Sequence, residues 1–221
     1  MSPRVFFQIG TNDGNDLFRD IVRKHKPDLV ILVEPNLALA DAIKTNYADV
    51  DNVIVYSRAV YYRSGEKVEL VIPAKNGRVG TTADNGIRYT DMNFSLLPMN
   101  DWGATTDMAK MSADTITFDD ICESHNIRVI DYLQIDTEGF DSEIISMIDF
   151  AKYTIKQIRF EKWGFETEAF TAHHAAIADR LGKNGMKTTM DKLVSNGYVL
   201  KDISDSDGND IIATLATGLV F

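Results

Sequence analysis

Along the first sixty positions, short apolar runs alternate with polar segments of helical spacing. "RVFFQIG" ends at Gly10, and the turn-rich "TNDGND" leads into "LFRDIVRKH", where Leu17, Phe18, Ile21 and Val22 share one helical face. "DLVILVEP" is almost unbroken up to Glu34 and Pro35, as in a strand buried on both faces of a parallel sheet. "LALADAIKTNY" reads as a second helix and "NVIVYSRAV" as a third strand. Such strand–helix–strand alternation predicts right-handed crossovers and an α/β sheet with helices on both faces.

The middle of the chain breaks this rhythm. "EKVELVIPA" alternates as an edge strand does, and about 75–112 is polar and turn-rich, with Met92, Met99, Met108, Met111 and Trp102. Lacking a sustained apolar period, it reads as an insertion within one domain spanning 1–221, either a substrate lid or a surface excursion. Regularity returns with "TITFDDICESH", a helix whose Thr117 and Asp120 have capping-box spacing. The strand "VIDYLQID", the helix "SEIISMIDFAKY", the strand "IKQIRFEKW" and a helical stretch from about Thr171 to Leu181 follow. "MDKLVSNGYVLKDIS" and "DIIATL" close the chain, and the short turn "DSDGN" obliges their strands to run antiparallel. The expected fold is a mainly parallel sheet with an antiparallel strand at its C-terminal end. "DSDGND" is a hairpin turn and no calcium loop, since its glycine is fourth and no Glu closes it.

Charge and cysteine usage narrow the partners. A net charge of −10 argues against binding a nucleic-acid backbone or an anionic lipid surface. No apolar run reaches the length of a membrane span, and "MSPRVFFQIG" enters a strand pattern at once, so no signal peptide is expected. Cys122 is the only cysteine and is expected in a helix core, and with no internal disulfide a cytoplasmic location is expected.

In open α/β sheets, ligands bind beyond the carboxyl ends of the strands. Polar residues gather there: Gly10, Thr11, Asn12, Asp13 and Gly14 after the first strand, Glu34 and Pro35 after the second. Ser57, Arg58 and Ala59 follow the third, Asp136 and Glu138 a later one, and Glu161, Lys162 and Trp163 the next. An acidic residue about 20 positions past a glycine turn, as Glu34 is, can accept both hydroxyls of a ribose. The chain lacks GxGxxG, Tyr-x-x-x-Lys and GxxxxGK[ST] motifs, while the acidic set Asp13, Glu34, Asp136 and Glu138 suits the sulfonium and ammonium charges of S-adenosylmethionine. An NAD-type oxidoreductase and a non-catalytic adenosine-cofactor-binding module are the alternatives. Thr137 and Asp141 are read as helix-capping residues, and His173 and His174 as packing or solvent-facing.

"QIGTNDGND", "VEPN", "SRAV" and above all "DYLQIDTEGFDSEII" resemble the FkbM-type S-adenosylmethionine-dependent methyltransferases, over Val5 to about Glu161. Gln134 stands where that family usually has Lys, and Gln8 where many methyltransferases carry an acidic residue. The resemblance implies a class I methyltransferase (Rossmann-like) sheet, S-adenosylmethionine as cofactor, and methylation of a hydroxyl on a sugar or glycan, first of all a deoxyhexose such as rhamnose or fucose. It implies that the 10–14 turn lines the methionine part, that Glu34 takes the ribose, and that Ser57, Arg58 and Ala59 lie near the adenine. Thr81 and Thr82 of "VGTT" are implied near the reacting end, and Trp102, Lys162 and Trp163 are further candidate acceptor contacts. Asp136, with Glu138 and Glu161, is the candidate catalytic group. Either Asp136 is a general base, which is the preferred reading, or the three carboxylates hold Mg²⁺ or Mn²⁺.

Overall fold

The computed structural model describes residues 3–74, 107–162, 183–205 and 208–216. In chain order the first strands are β1 (Val5–Ile9), β2 (Leu29–Val33), β3 (Val53–Tyr56), β4 (Ala59–Val60), β5 (Lys67–Ala74) and β6 (Asp107–Ile116). Then come β7 (Val129–Ile130), β8 (Tyr132–Ile135), β9 (Thr154–Ile155), β10 (Gln157–Glu161), β11 (Tyr198–Asp205) and β12 (Gly208–Leu215). The described helices are α1 (Leu17–His25), α2 (Ala40–Asn46, after a 3₁₀ turn Leu37–Leu39), α3 (Phe118–Ser124), α4 (Asp141–Met147) and α5 (Lys183–Ser195).

Seven strands form one sheet in the order β11-β12-β10-β8-β1-β2-β3. All neighbours from β10 to β3 run parallel, while β12 is antiparallel to both β10 and β11. The reversed strand is therefore second from the edge. Side-chain alternation divides β1 between two cores: Val5, Phe7 and Ile9 join α3, α4 and α5 on one face, and Phe6 joins Phe18, Val22 and Ile43 on the other. Each fully buried side chain of this size contributes about 1.5–3 kcal/mol, which is why β1 sits at the centre of the sheet.

Local chemistry sets the helix starts. Asp16 caps α1 by accepting the Arg19 amide at 3.1 Å, and Thr117 caps α3 by accepting the Asp120 amide at 3.0 Å. Several boundaries differ from expectation. The continuous strand expected at 129–136 divides into β7 and β8, because Asp131 turns inward to accept the Val5 amide at 2.9 Å and the Lys156 ammonium at 2.6 Å. The helix expected over 142–153 ends at Met147, where Lys192 of α5 donates to the carbonyls of Ile145, Ser146 and Ile148. Residues 107–112 belong to β6, which pairs antiparallel with β5, so the connection between these strands is 75–106. That segment lies outside the described residues, as do the expected helical stretch 171–181 and the residues Thr81, Thr82, Trp102, Trp163, His173 and His174. Cys122 is buried in the main core, and burial pushes its thiol up to about 12, which leaves it an inert packing residue.

Candidate active site

The carboxyl ends of β1, β2 and β8 meet at one cleft, with about 700 Å³ of open volume between its walls. Gly10 lets them approach. Its φ is +83°, and a Cβ there would lie 1.7 Å from the carbonyl oxygen of Asp136, so no other residue fits. Gly14 is needed for a different reason: its φ is +75° and a Cβ would meet the Tyr47 ring at 2.9 Å. The second glycine is a packing residue against α2's end, and it does not line the cleft.

Glu34 is 7% exposed at the end of β2. Its carboxylate accepts the Asn12 amide at 2.8 Å and the Asn36 amide at 2.9 Å, tying the turn after β1 to the turn after β2. Burial pushes its pKa up to about 7, against the lowering effect of those two amides. Each carboxylate oxygen retains a lone pair for a further donor, as a ribose hydroxyl would be. Around it the cleft wall is apolar: Leu39, Val60, Leu70, Phe140 and Ile144. An acidic hydroxyl acceptor beside an apolar slot fits an adenosine carried without phosphates, since the described lining residues include Arg58 as their only cation.

Of the residues expected to hold a cofactor, Gly10, Asn12, Glu34, Pro35, Arg58, Ala59 and Asp136 line this cleft. Thr11 is fully buried, and Ser57 and Asp13 lie away from the lining; the Asp13 carboxylate accepts the Asn15 amide at 2.8 Å. Lys162, expected to contact an acceptor, is paired with Asp202 at 2.5 Å. Asn36, Leu39, Val60, Leu70, Phe140 and Ile144 were not anticipated. Asn36, Val60, Phe140 and Ile144 fell within "VEPN", "SRAV" and "DYLQIDTEGFDSEII", while Leu39 and Leu70 are indistinguishable in sequence from core.

The strand-end carboxylates gather where β8 and β10 finish. Asp136, Glu138 and Glu161 each offer an oxygen within 4.8 Å of the others. Glu138 is held in the left-handed region at φ 54°, followed by Gly139 at φ 104°, a costly backbone that turns the chain directly into α4. Asp141 is wholly buried and does not cap that helix as expected; the N-cap is Phe140, which makes no side-chain cap bond. Instead Asp141 joins two strand ends. One oxygen accepts both the amide (2.8 Å) and the hydroxyl of Thr137, and the other accepts the Glu161 amide at 3.0 Å.

Crowding raises the pKa of every member. Burial, followed by the charges of Glu138, Asp141, Glu161 and Asp210, lifts Asp136 well above the ordinary carboxylate value, although its surface opens to the cleft. Burial and then Asp141 push Glu138 up to about 7, and burial, Asp141, Glu138 and Asp210 push Glu161 up to about 8. Asp136 also lines a second, more polar cleft of about 990 Å³ together with Gln134, Arg159, Glu161 and Asp210 from the sheet, and with residues at the start of α1. Asp136 thus stands at the junction of the two clefts.

Residues 8–193 match the Methyltransferase FkbM domain family. The chain belongs to this family. That family's model is of a methyltransferase domain, and among the described strands of the sheet that carries it β12 is the single reversed one. No curated protein matches the chain. Three solved structures are similar at low identity. The Methanococcus jannaschii fibrillarin pre-rRNA processing protein is 13% identical with a TM-score of 0.43, and the alignment covers 96% of this chain and 66% of that one. The ribosomal protein L11 methylase of Lactobacillus delbrueckii subsp. bulgaricus is 11% identical (TM-score 0.42; 99% and 72% covered). The CMeT domain of citrinin polyketide synthase is 8% identical (TM-score 0.44; 99% and 48% covered). The chain thus spans just under two thirds of the fibrillarin-type protein's length and about half of the CMeT domain's. Among the described residues of this FkbM-family chain, no helix is long and apolar enough to cross a membrane.

Proposed function

We propose that this FkbM-family chain transfers a methyl group to a hydroxyl of a sugar or glycan, with Asp136 as the general base. The observation that carries the reading is the position of Asp136 at the end of β8, where it lines both the apolar, Glu34-bearing cleft and the polar second cleft. Bound S-adenosylmethionine supplies an electrophilic methyl on a sulfonium. Glu34 would hold the ribose, with Asn12, Asn36 and Gly10 shaping the turn around it. Arg58, Ala59 and Val60 would border the base, and Asp136 would take the acceptor proton as the oxygen–carbon bond forms. A sugar hydroxyl is far less acidic than any carboxylic acid, so a base helps only as transfer proceeds. A carboxylate with a raised pKa is better matched to that task than an ordinary one.

A second reading is favoured by the grouping of Asp136, Glu138 and Glu161 within 4.8 Å: the three would hold Mg²⁺ or Mn²⁺, which acidifies a bound hydroxyl. Asp136→Asn tests the base. It keeps the shape, should abolish methyl transfer to a deoxyhexose glycoside, and should leave S-adenosylhomocysteine affinity within a few-fold. Full turnover in that variant refutes the role. Dialysis against EDTA separates the readings, because only the metal version predicts loss of activity and its rescue by added Mg²⁺ or Mn²⁺.

A further inference from the structure

The second cleft has a definite chemistry. Asp16 and Asp20 face it from α1 and its cap, Asp136, Glu161 and Asp210 from the strand ends, and Arg159 is the single cation among its described lining residues. That guanidinium is paired with Asp210. Gln134, which lines the cleft from β8, is only 7% exposed. Its side-chain carbonyl accepts the Tyr132 hydroxyl at 3.4 Å, and its amide nitrogen has no hydrogen-bond partner among the described residues. An amide donor without such a partner, on a side chain otherwise mostly buried, can donate to an incoming oxygen. Its cavity volume proper, about 430 Å³, lies in the range of small-ligand sites.

We propose that this cleft is the acceptor site and that it selects uncharged or amine-bearing, hydroxyl-rich acceptors against carboxylated or phosphorylated ones. The proposal rests on the methyltransferase reading above. Sugar hydroxyls donate well to carboxylates, and the Gln134 amide can donate to a sugar oxygen. An anionic acceptor meets five acidic side chains that already disfavour one another's charge, while the one guanidinium among the described lining residues is committed to Asp210. Like charges placed this close raise the cost of binding, and desolvating an unpaired anion adds to it. Sugar nucleotides and uronic acids are therefore excluded by charge, and neutral or amino glycosides are admitted.

The test uses the full chain loaded with S-adenosylhomocysteine and three matched probes: the methyl glycosides of glucose, glucuronic acid and glucosamine. Dissociation constants are read by ligand-observed NMR. The neutral and amino glycosides should bind, the glucuronide at least tenfold more weakly than glucose. Gln134→Leu should weaken the neutral probe about tenfold while S-adenosylhomocysteine binds within twofold of the parent. Asp20→Lys, at an exposed rim position on α1, should reduce the glucose-to-glucuronide ratio at least fivefold without touching the cleft floor. Binding of the glucuronide as tightly as glucose, no binding of any probe, or unchanged constants in both variants overturns the proposal while leaving the cofactor reading intact. Failure of S-adenosylhomocysteine to bind the parent overturns the cofactor reading and this one with it.

Discussion

Replacing Asp141 by Asn isolates the residue that holds the strand-end carboxylates together. Asp141 is wholly buried and accepts three hydrogen bonds, two from Thr137 and one from the Glu161 amide at 3.0 Å. Asparagine keeps one oxygen for Thr137 but turns an amide NH₂ toward the Glu161 N–H, so a donor faces a donor. Losing a hydrogen bond to a charged acceptor costs about 1.5–3 kcal/mol, and leaving a buried amide unsatisfied about 1–3 kcal/mol. Removing a negative charge that repels Asp136, Glu138 and Glu161 offsets part of this. A net loss of about 2–4 kcal/mol results, and at about 2–4 °C per kcal/mol for a chain of this size the Tm should fall by about 4–16 °C at pH 7. The second readout separates this role from mere packing. Carboxyl-carbon NMR titration should place Glu138 near 7 and Glu161 near 8 in the parent protein, and both should move down in the variant. Glu34, whose shift comes from burial and two amides, should not move. A Tm within 1 °C of the parent together with unmoved Glu138 and Glu161 titrations would refute the reasoning.

Three further outcomes are expected. Because Glu34 titrates near 7 and only its ionised form accepts two hydroxyls fully, S-adenosylhomocysteine affinity should rise severalfold from pH 6 to pH 8. In Glu34→Gln that affinity should drop about tenfold or more and lose its pH dependence, as calorimetry would show. The apo protein should lose Tm between about pH 4.5 and 8: Glu34, Glu138 and Glu161 have folded pKa values above their unfolded ones, so their stabilising contribution is complete below about 4.5 and is lost as pH rises through 7 to 8. Scanning calorimetry showing Tm flat over that range would contradict the raised values. Gly10→Ala should yield no folded protein, because the added methyl meets the Asp136 carbonyl at 1.7 Å with φ at +83°; a native-like circular dichroism melt would exclude that contact.

Periodicity alone determined the order of the central elements here. "LVILV" has no polar residue and "VFFQI" only Gln8, so both read as interior strands, and the antiparallel run of β11 and β12 followed from a turn too short for a crossover. Glu34 and Asp136 were legible as strand-end residues of the cleft because a carboxylate ending an apolar run lacks a packing explanation. What lay beyond reach came from contacts distant in the chain. Asp131 divides a strand by bonding Val5 and Lys156, and Lys192 ends α4 from a helix some forty residues away. Asp141 looks locally like a helix cap and becomes a brace only when β10 brings Glu161 alongside. Arg159 and Asp210 carried a faint signal, charges inside apolar strands, but their place opposite α1 depends on β12 inserting beside β10. Hydrophobic pattern is a property of neighbours in sequence, so it reports strands and helices. A cleft is formed by the ends of several such elements, and only their packing decides which side chains meet there.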